Sequence, residues 1–108
     1  MPLNPPQGER GGAYLAGYFD AAGCLHVGRD VQIVIGNHDR GRLDWLTVWG
    51  GAVRPASGRL GAEYFEWRLQ RRQDVIDFLE EIRPYLVWKA EKADEALRQL
   101  RGAVRHVL

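Results

Sequence analysis

The chain has 108 residues, 45% of them hydrophobic, with four tryptophans, one cysteine and 15 basic against 14 acidic side chains. That length holds one domain with a modest core, and the apolar fraction excludes a disordered chain. The lone Cys24 excludes an internal disulfide framework, and no apolar run is long enough to span a bilayer or act as a secretory leader, so a soluble intracellular protein is expected.

Residues 1–11 carry three prolines and two glycines, which predicts a flexible arm ahead of a single domain over 12–108. A helix is predicted over about 12–22, where aromatics alternate with Ala13, Ala16, Gly17, Ala21 and Ala22. At four-residue spacing Ala13, Gly17 and Ala21 (or Ala16 with Asp20) share one side. That side has almost no bulk, so a second helix can approach it until the backbones nearly touch. Gly23 closes the helix.

Residues 24–28 and 31–36 then form a hairpin through Arg29 and Asp30. Val31, Ile33 and Ile35 alternate with Gln32, Val34 and Gly36, the period of a half-buried strand. Cys24 is expected to be a buried, inert thiol. Asn37-His38-Asp39 offers a helix start, and Leu43, Leu46 and Trp49 recur at helical spacing until Gly50-Gly51.

A second hairpin has strands over 52–56 and 63–70 and its turn at 57–61. Phe65, Trp67 and Leu69 point one way, with Tyr64, Glu66, Arg68 and Gln70 the other. A helix over 72–82 turns Val75, Phe78, Leu79 and Ile82 inward, and Pro84 interrupts it. The last helix is predicted from Tyr85 to His106, with Leu97, Leu100 and Val104 as its apolar face. The expected class is α+β, a four-stranded antiparallel sheet with helices on one face.

The run Leu15-Ala16-Gly17-Tyr18-Phe19-Asp20-Ala21-Ala22-Gly23 resembles the signature nonapeptide of the LAGLIDADG homing endonucleases. Leu15, Ala16, Gly17, Asp20, Ala21 and Gly23 match it letter for letter, and Tyr18 and Phe19 stand where that family often has large apolar residues. Ile82-Arg83-Pro84-Tyr85-Leu86-Val87-Trp88-Lys89 looks like the family's Pro-aromatic-Leu stretch, which ends in a basic residue. The element order also fits the family's αββαββα plan from Ala13 to Leu100. One copy of the signature implies a homodimer seamed through Ala13, Ala16, Gly17, Asp20 and Ala21. The resemblance further implies recognition of a long, pseudo-palindromic double-stranded DNA site and cleavage with Mg2+ or another divalent cation.

By alternation, the sheet face away from the helices carries His26, Gln32, Val34, Arg54, Tyr64, Glu66, Arg68 and Gln70, with Arg29 at a hairpin tip. Polar alternation alone also describes a solvated sheet face. As a base-reading surface the set is apt: arginine pairs with guanine, glutamine with adenine, and glutamate accepts from cytosine. Arg29, Arg54, Arg59, Arg68, Arg71 and Arg72 concentrate positive charge in the middle of the chain, whereas Glu80, Glu81, Glu91, Asp94 and Glu95 lie toward its end.

For catalysis the resemblance implies a metal held by the second signature acid and the carbonyl before it. Those positions are Ala22 and Ala21, and a methyl group cannot bind a cation. Asp20 lies about 200° around the helix from Ala22 and suits a structural hydrogen bond instead. Lys89 matches the family's basic residue near the scissile phosphate, Asn37 falls near a solvent-ordering position, and Arg40 or Arg42 can supply a second cation. The chain is therefore expected to bind DNA without cutting it, with a degenerate DNA-binding regulator or a maturase acting on intron RNA as alternatives.

Overall fold

The computed structural model describes residues 8–56 and 63–105, with side chains over 11–56 and 63–102. Helix α1 (Gly8–Ala22) runs directly into strand β1 (Gly23–Val27) with no connecting loop. It begins at Gly8, ahead of the start expected at 12; residues 1–7 of the expected arm lie outside the described residues.

Strands β1, β2 (Val31–Asn37), β3 (Ala52–Pro55) and β4 (Phe65–Leu69) form one antiparallel sheet in the order β1-β2-β4-β3. The two central strands join the halves, with Ile33 opposite Leu69 and Ile35 opposite Trp67. The turn expected at 57–61 lies outside the described residues.

Alternation sends Leu25, Ile33, Ile35, Val53, Trp67 and Leu69 to one face, where all are buried. They meet Leu15, Ala16 and Phe19 of α1, Val75, Phe78, Leu79 and Ile82 of α3 (Arg72–Ile82), and Ala93, Ala96, Leu97 and Leu100 of α4 (Ala90–Arg105). Val104, expected on the apolar face of α4, has no described side chain. Phe78 is the hub of this core. Its ring lies 5.7 Å from that of Phe19, 5.6 Å from Trp49 and 5.4 Å from Trp67. Each such side chain contributes roughly 1.5–3 kcal/mol through burial.

Two further elements depart from the sequence expectation. The helix expected to run to Trp49 is α-helical only over α2 (Gly41–Asp44), and tightens into a 3-10 helix over Trp45–Trp49. The Thr47 hydroxyl donates to the Asp44 carbonyl at 2.7 Å, and the Gly50 N–H closes on Thr47 at 3.0 Å. Gly50 and Gly51 have φ of 109° and 72°, a backbone that a side chain would strain. This turn aims the Gly50 carbonyl at the indole N–H of fully buried Trp67, which donates to it at 2.9 Å.

The last α-helix begins at Ala90 rather than Tyr85. Pro84 lies in a 3-10 turn (Arg83–Tyr85), and the chain from 86 to 89 is non-helical because a side chain of α1 takes its N–H groups, as described below. Arg83 ties this turn to α4 through two bonds to Asp94, Nε to Oδ1 at 2.5 Å and the second terminal nitrogen to Oδ2 at 2.8 Å. Among the described residues, no helix is long and apolar enough to cross a membrane.

Candidate nucleic-acid interface

The sheet face away from the helices is organised in cross-strand rows. His26 lies opposite Gln32; Cys24, Val34, Arg68 and Ala52 form the next row; Gly36, Glu66 and Arg54 form the third. His26, Arg54 and Arg68 are exposed, and Gln32 and Glu66 are partly so. Val34 is only 7% exposed between Cys24 and Arg68, so it serves as an apolar floor of this face rather than an outward contact. Cys24 is exposed, contrary to expectation. The strand starts at Gly23, which takes an inward position with Leu25 and turns Cys24 out.

Arg68 holds the centre of the face. One terminal nitrogen donates to Gln32 Oε1 at 2.9 Å and the other to Glu66 Oε1 at 3.2 Å. Arg54, Glu66, Arg68 and Gln70 line a groove along β3 together with Arg71 and Asp74. Tyr64 folds back over Gly36, where a Cβ would overlap its hydroxyl, and its ring lies edge-on to His38 at 5.0 Å. Alternation alone gave Tyr64 its side of the sheet; nothing in it shows that a glycine on the neighbouring strand makes room for the ring.

Arg29 is exposed at the β1–β2 tip. That tip is tied to α4, since the Gln99 amide donates to the Gly28 carbonyl at 2.6 Å. Arg72 belongs elsewhere: its Nε donates to the Leu100 carbonyl at 3.1 Å, turning its charge toward α4.

At the end of α1, Ala21 and Ala22 are both exposed. The Asp20 carboxylate turns away from them and accepts the N–H groups of Val87 at 2.8 Å and Lys89 at 2.9 Å. Burial pushes the Asp20 pKa up, but those backbone donors, that of Trp88 and the Lys89 charge together hold it below 3.8. The Lys89 ammonium donates to the Asp20 carbonyl at 2.7 Å and sits 5.6 Å above the Phe19 ring, neutralising the carbonyl end of α1.

The other candidate catalytic side chains are committed around α2. Asn37 accepts the Asp39 N–H at 2.8 Å and reaches the Tyr18 hydroxyl at 3.5 Å. Arg40 pairs with Asp44 at 3.6 Å and lies 5.8 Å from the Phe65 ring centre, and Arg42 pairs with Asp39 at 3.5 Å. The structure thus brings Lys89 to the end of α1, while Asn37 and Arg40 bond to none of residues 20–22. This donor set does not suit a divalent cation. The side chain at 22 is a methyl, the Asp20 oxygens are taken, and no group of three His, Cys, Asp or Glu converges among the described residues.

No protein-family model and no curated protein matches the chain. Solved structures do. The homing endonuclease I-CvuI in complex with its target aligns with a TM-score of 0.69 at 25% identity, over 86% of this chain and 67% of that one. An archaeal intron-encoded homing endonuclease complexed with DNA gives 0.72 at 18% identity, over 87% and 69%. The homing endonuclease I-TnaI gives 0.72 at 23%, over 98% and 77%. The fold is that of the LAGLIDADG homing endonucleases. A second I-CvuI structure aligns over 65% of its own length, so this chain spans about two thirds of that relative.

In this LAGLIDADG fold the signature positions divide by direction. Leu15, Ala16 and Phe19 enter the chain's own core, and Ala16 is fully buried, so it lies outside any seam with a second copy. Asp20 is likewise turned onto residues 87–89 of its own chain. Ala13, Gly17 and Ala21 remain exposed, and a Cβ at Gly17 would meet nothing within 4 Å. Beside them the surface carries Tyr14, Val87 and Trp88, at 52%, 72% and 85% exposure. Sequence periodicity missed the last two because they lie in the non-helical stretch before α4.

Proposed function

We propose that this protein is a homodimeric reader of a pseudo-palindromic double-stranded DNA site, which it binds without cutting. The observation that carries the reading is the open sheet face, where His26, Gln32, Arg54, Glu66 and Arg68 stand in cross-strand rows among the small residues Cys24, Val34, Gly36 and Ala52. A β-ribbon of this kind fits a major groove about 12 Å wide, and arginine and glutamine are the side chains that pair with purine edges. Relatives of this fold have been solved as DNA complexes.

The exposed strip Ala13, Gly17 and Ala21 supports a two-fold contact between copies of α1, which would set two such faces on successive half-sites. Recognition then resides in the sheet and orientation in α1. The step that is missing is hydrolysis: family chemistry needs a carboxylate at 22, and this chain offers a methyl.

Selection of duplexes from a randomised pool, with magnesium present, tests the reading. One pseudo-palindromic sequence should be enriched and recovered intact. Ala22→Asp should then give magnesium-dependent cleavage of that same duplex. Enrichment of no duplex would overturn the reading, and preferential capture of structured RNA over any duplex would replace it with RNA binding.

A further inference from the structure

The arginine at the centre of the open face is held in an unusual way for an exposed side chain. Gln32 lies diagonally across from Arg68, since Val34 is its direct partner on β2, and Glu66 precedes it by two residues on the same face of β4. Their oxygens take one N–H from each terminal nitrogen of the guanidinium, at 2.9 and 3.2 Å. Val34 lies beneath and is nearly covered. A long arginine side chain normally samples many rotamers, and ordering it on binding carries an entropic cost. Here both terminal nitrogens are fixed before any partner arrives, yet 45% of the side chain stays open. Two of the five N–H groups are used, which leaves enough for a bidentate contact.

The two acceptors also restrict what Arg68 can bind. Glu66 partly offsets the charge that would draw a free arginine to any phosphate along the duplex. A guanidinium with its net charge offset and its plane set best suits a partner with two coplanar acceptors at fixed separation. The O6 and N7 atoms of guanine in the major groove are that partner. Gln32 Oε1 and Glu66 Oε1 both accept from Arg68, which turns these two side chains toward the guanidinium and makes holding it their first role.

Resting on the DNA-reading function above, we propose that Arg68 specifies a guanine in each half-site, with Gln32 and Glu66 acting as positioning residues for it rather than as base readers. This alters the direct roles that sequence reasoning gave to Gln32 and Glu66. It also reduces the code of the face to fewer, better-fixed contacts.

Competition binding tests the proposal, using the enriched duplex and a panel of duplexes in which each half-site base pair is changed in turn. The unaltered protein should prefer G·C by about ten-fold at one position per half-site. Arg68→Ala should abolish the preference there and leave the other positions alone. Glu66→Ala and Gln32→Ala should each weaken the preference at that same position. Neither should produce any further change in an Arg68→Ala background, an outcome that simple loss of stability would not give. If Glu66→Ala or Gln32→Ala relaxes a different position, that residue reads a base itself and the proposal fails while the DNA-reading function stands. If Arg68→Ala weakens all sequences equally, Arg68 is a phosphate contact and the proposal fails in the same way. If the unaltered protein enriches no duplex at all, both readings fall together.

Discussion

On the outer face of the sheet, polar side chains are bonded to one another; at the end of α1 they are half-buried and bonded to the backbone. Arg68, Gln32 and Glu66 form the first arrangement, Asp20 and Lys89 the second. The difference separates two properties that share one fold. Under the proposed function, recognition would be spread over side chains from several strands. Hydrolysis, under the same proposal, would depend on a single carboxylate beside Ala21, where this chain carries the methyl of Ala22. The same helix end remains useful in another way, because Asp20 fastens α1 to the segment that leads into α4.

Four perturbations probe that comparison, beginning with the one both regions depend on. Phe78→Ala removes the ring on which Phe19, Trp49 and Trp67 meet, and should lower stability by about 3–5 kcal/mol in denaturant unfolding, disabling both regions together. Gly17→Leu fills the open strip on α1 without disturbing its own core. Sedimentation should show the dimer giving way to monomer, with duplex affinity falling toward that of a single half-site.

Asp20→Asn addresses the helix end alone. It should cost about 1–2 kcal/mol, because an amide offers one acceptor oxygen where the carboxylate uses two charged ones. The sign of its pH dependence follows from the lowered pKa. The carboxylate contributes its full stabilisation above 3.8 and loses it as pH falls through the depressed folded-state value. Urea midpoints of the two proteins should therefore differ most at neutral pH and converge in acid. Arg54→Ala should be the mildest change. Arg54 pairs with no acid among the described residues, so it suits a backbone contact, and its loss should make the slope of log affinity against log salt shallower by about one per subunit.

The parts of the fold written in local periodicity were legible in the sequence. The alternation through Ile33 and Ile35 and through Phe65, Trp67 and Leu69 gave the right faces, and α3 spans the predicted residues. What escaped depends on contacts between distant segments. Residues 86–89 could have begun a helix, but Asp20, more than sixty positions earlier, takes two of their N–H groups. Small residues lie on both sides of α1, so spacing could not tell that Ala16 faces inward and Gly17 outward. Cys24 was expected to be buried from its residue type, although it shares the open face with His26 by alternation. Of the candidate site, the rows of the open sheet face were readable by alternation. The linkage of Arg68 to Gln32 was not, because it joins strands 36 residues apart.

The direct passage from α1 into β1 leaves no linker between the helix that would meet a second copy and the sheet that would meet DNA. Two such chains joined through α1 would therefore behave as a rigid gauge. Each extra base pair at the centre of a site turns one half by about 34° relative to the other, and no hinge exists between helix and sheet to follow that rotation. Spacing between half-sites would be measured as strictly as the bases within them.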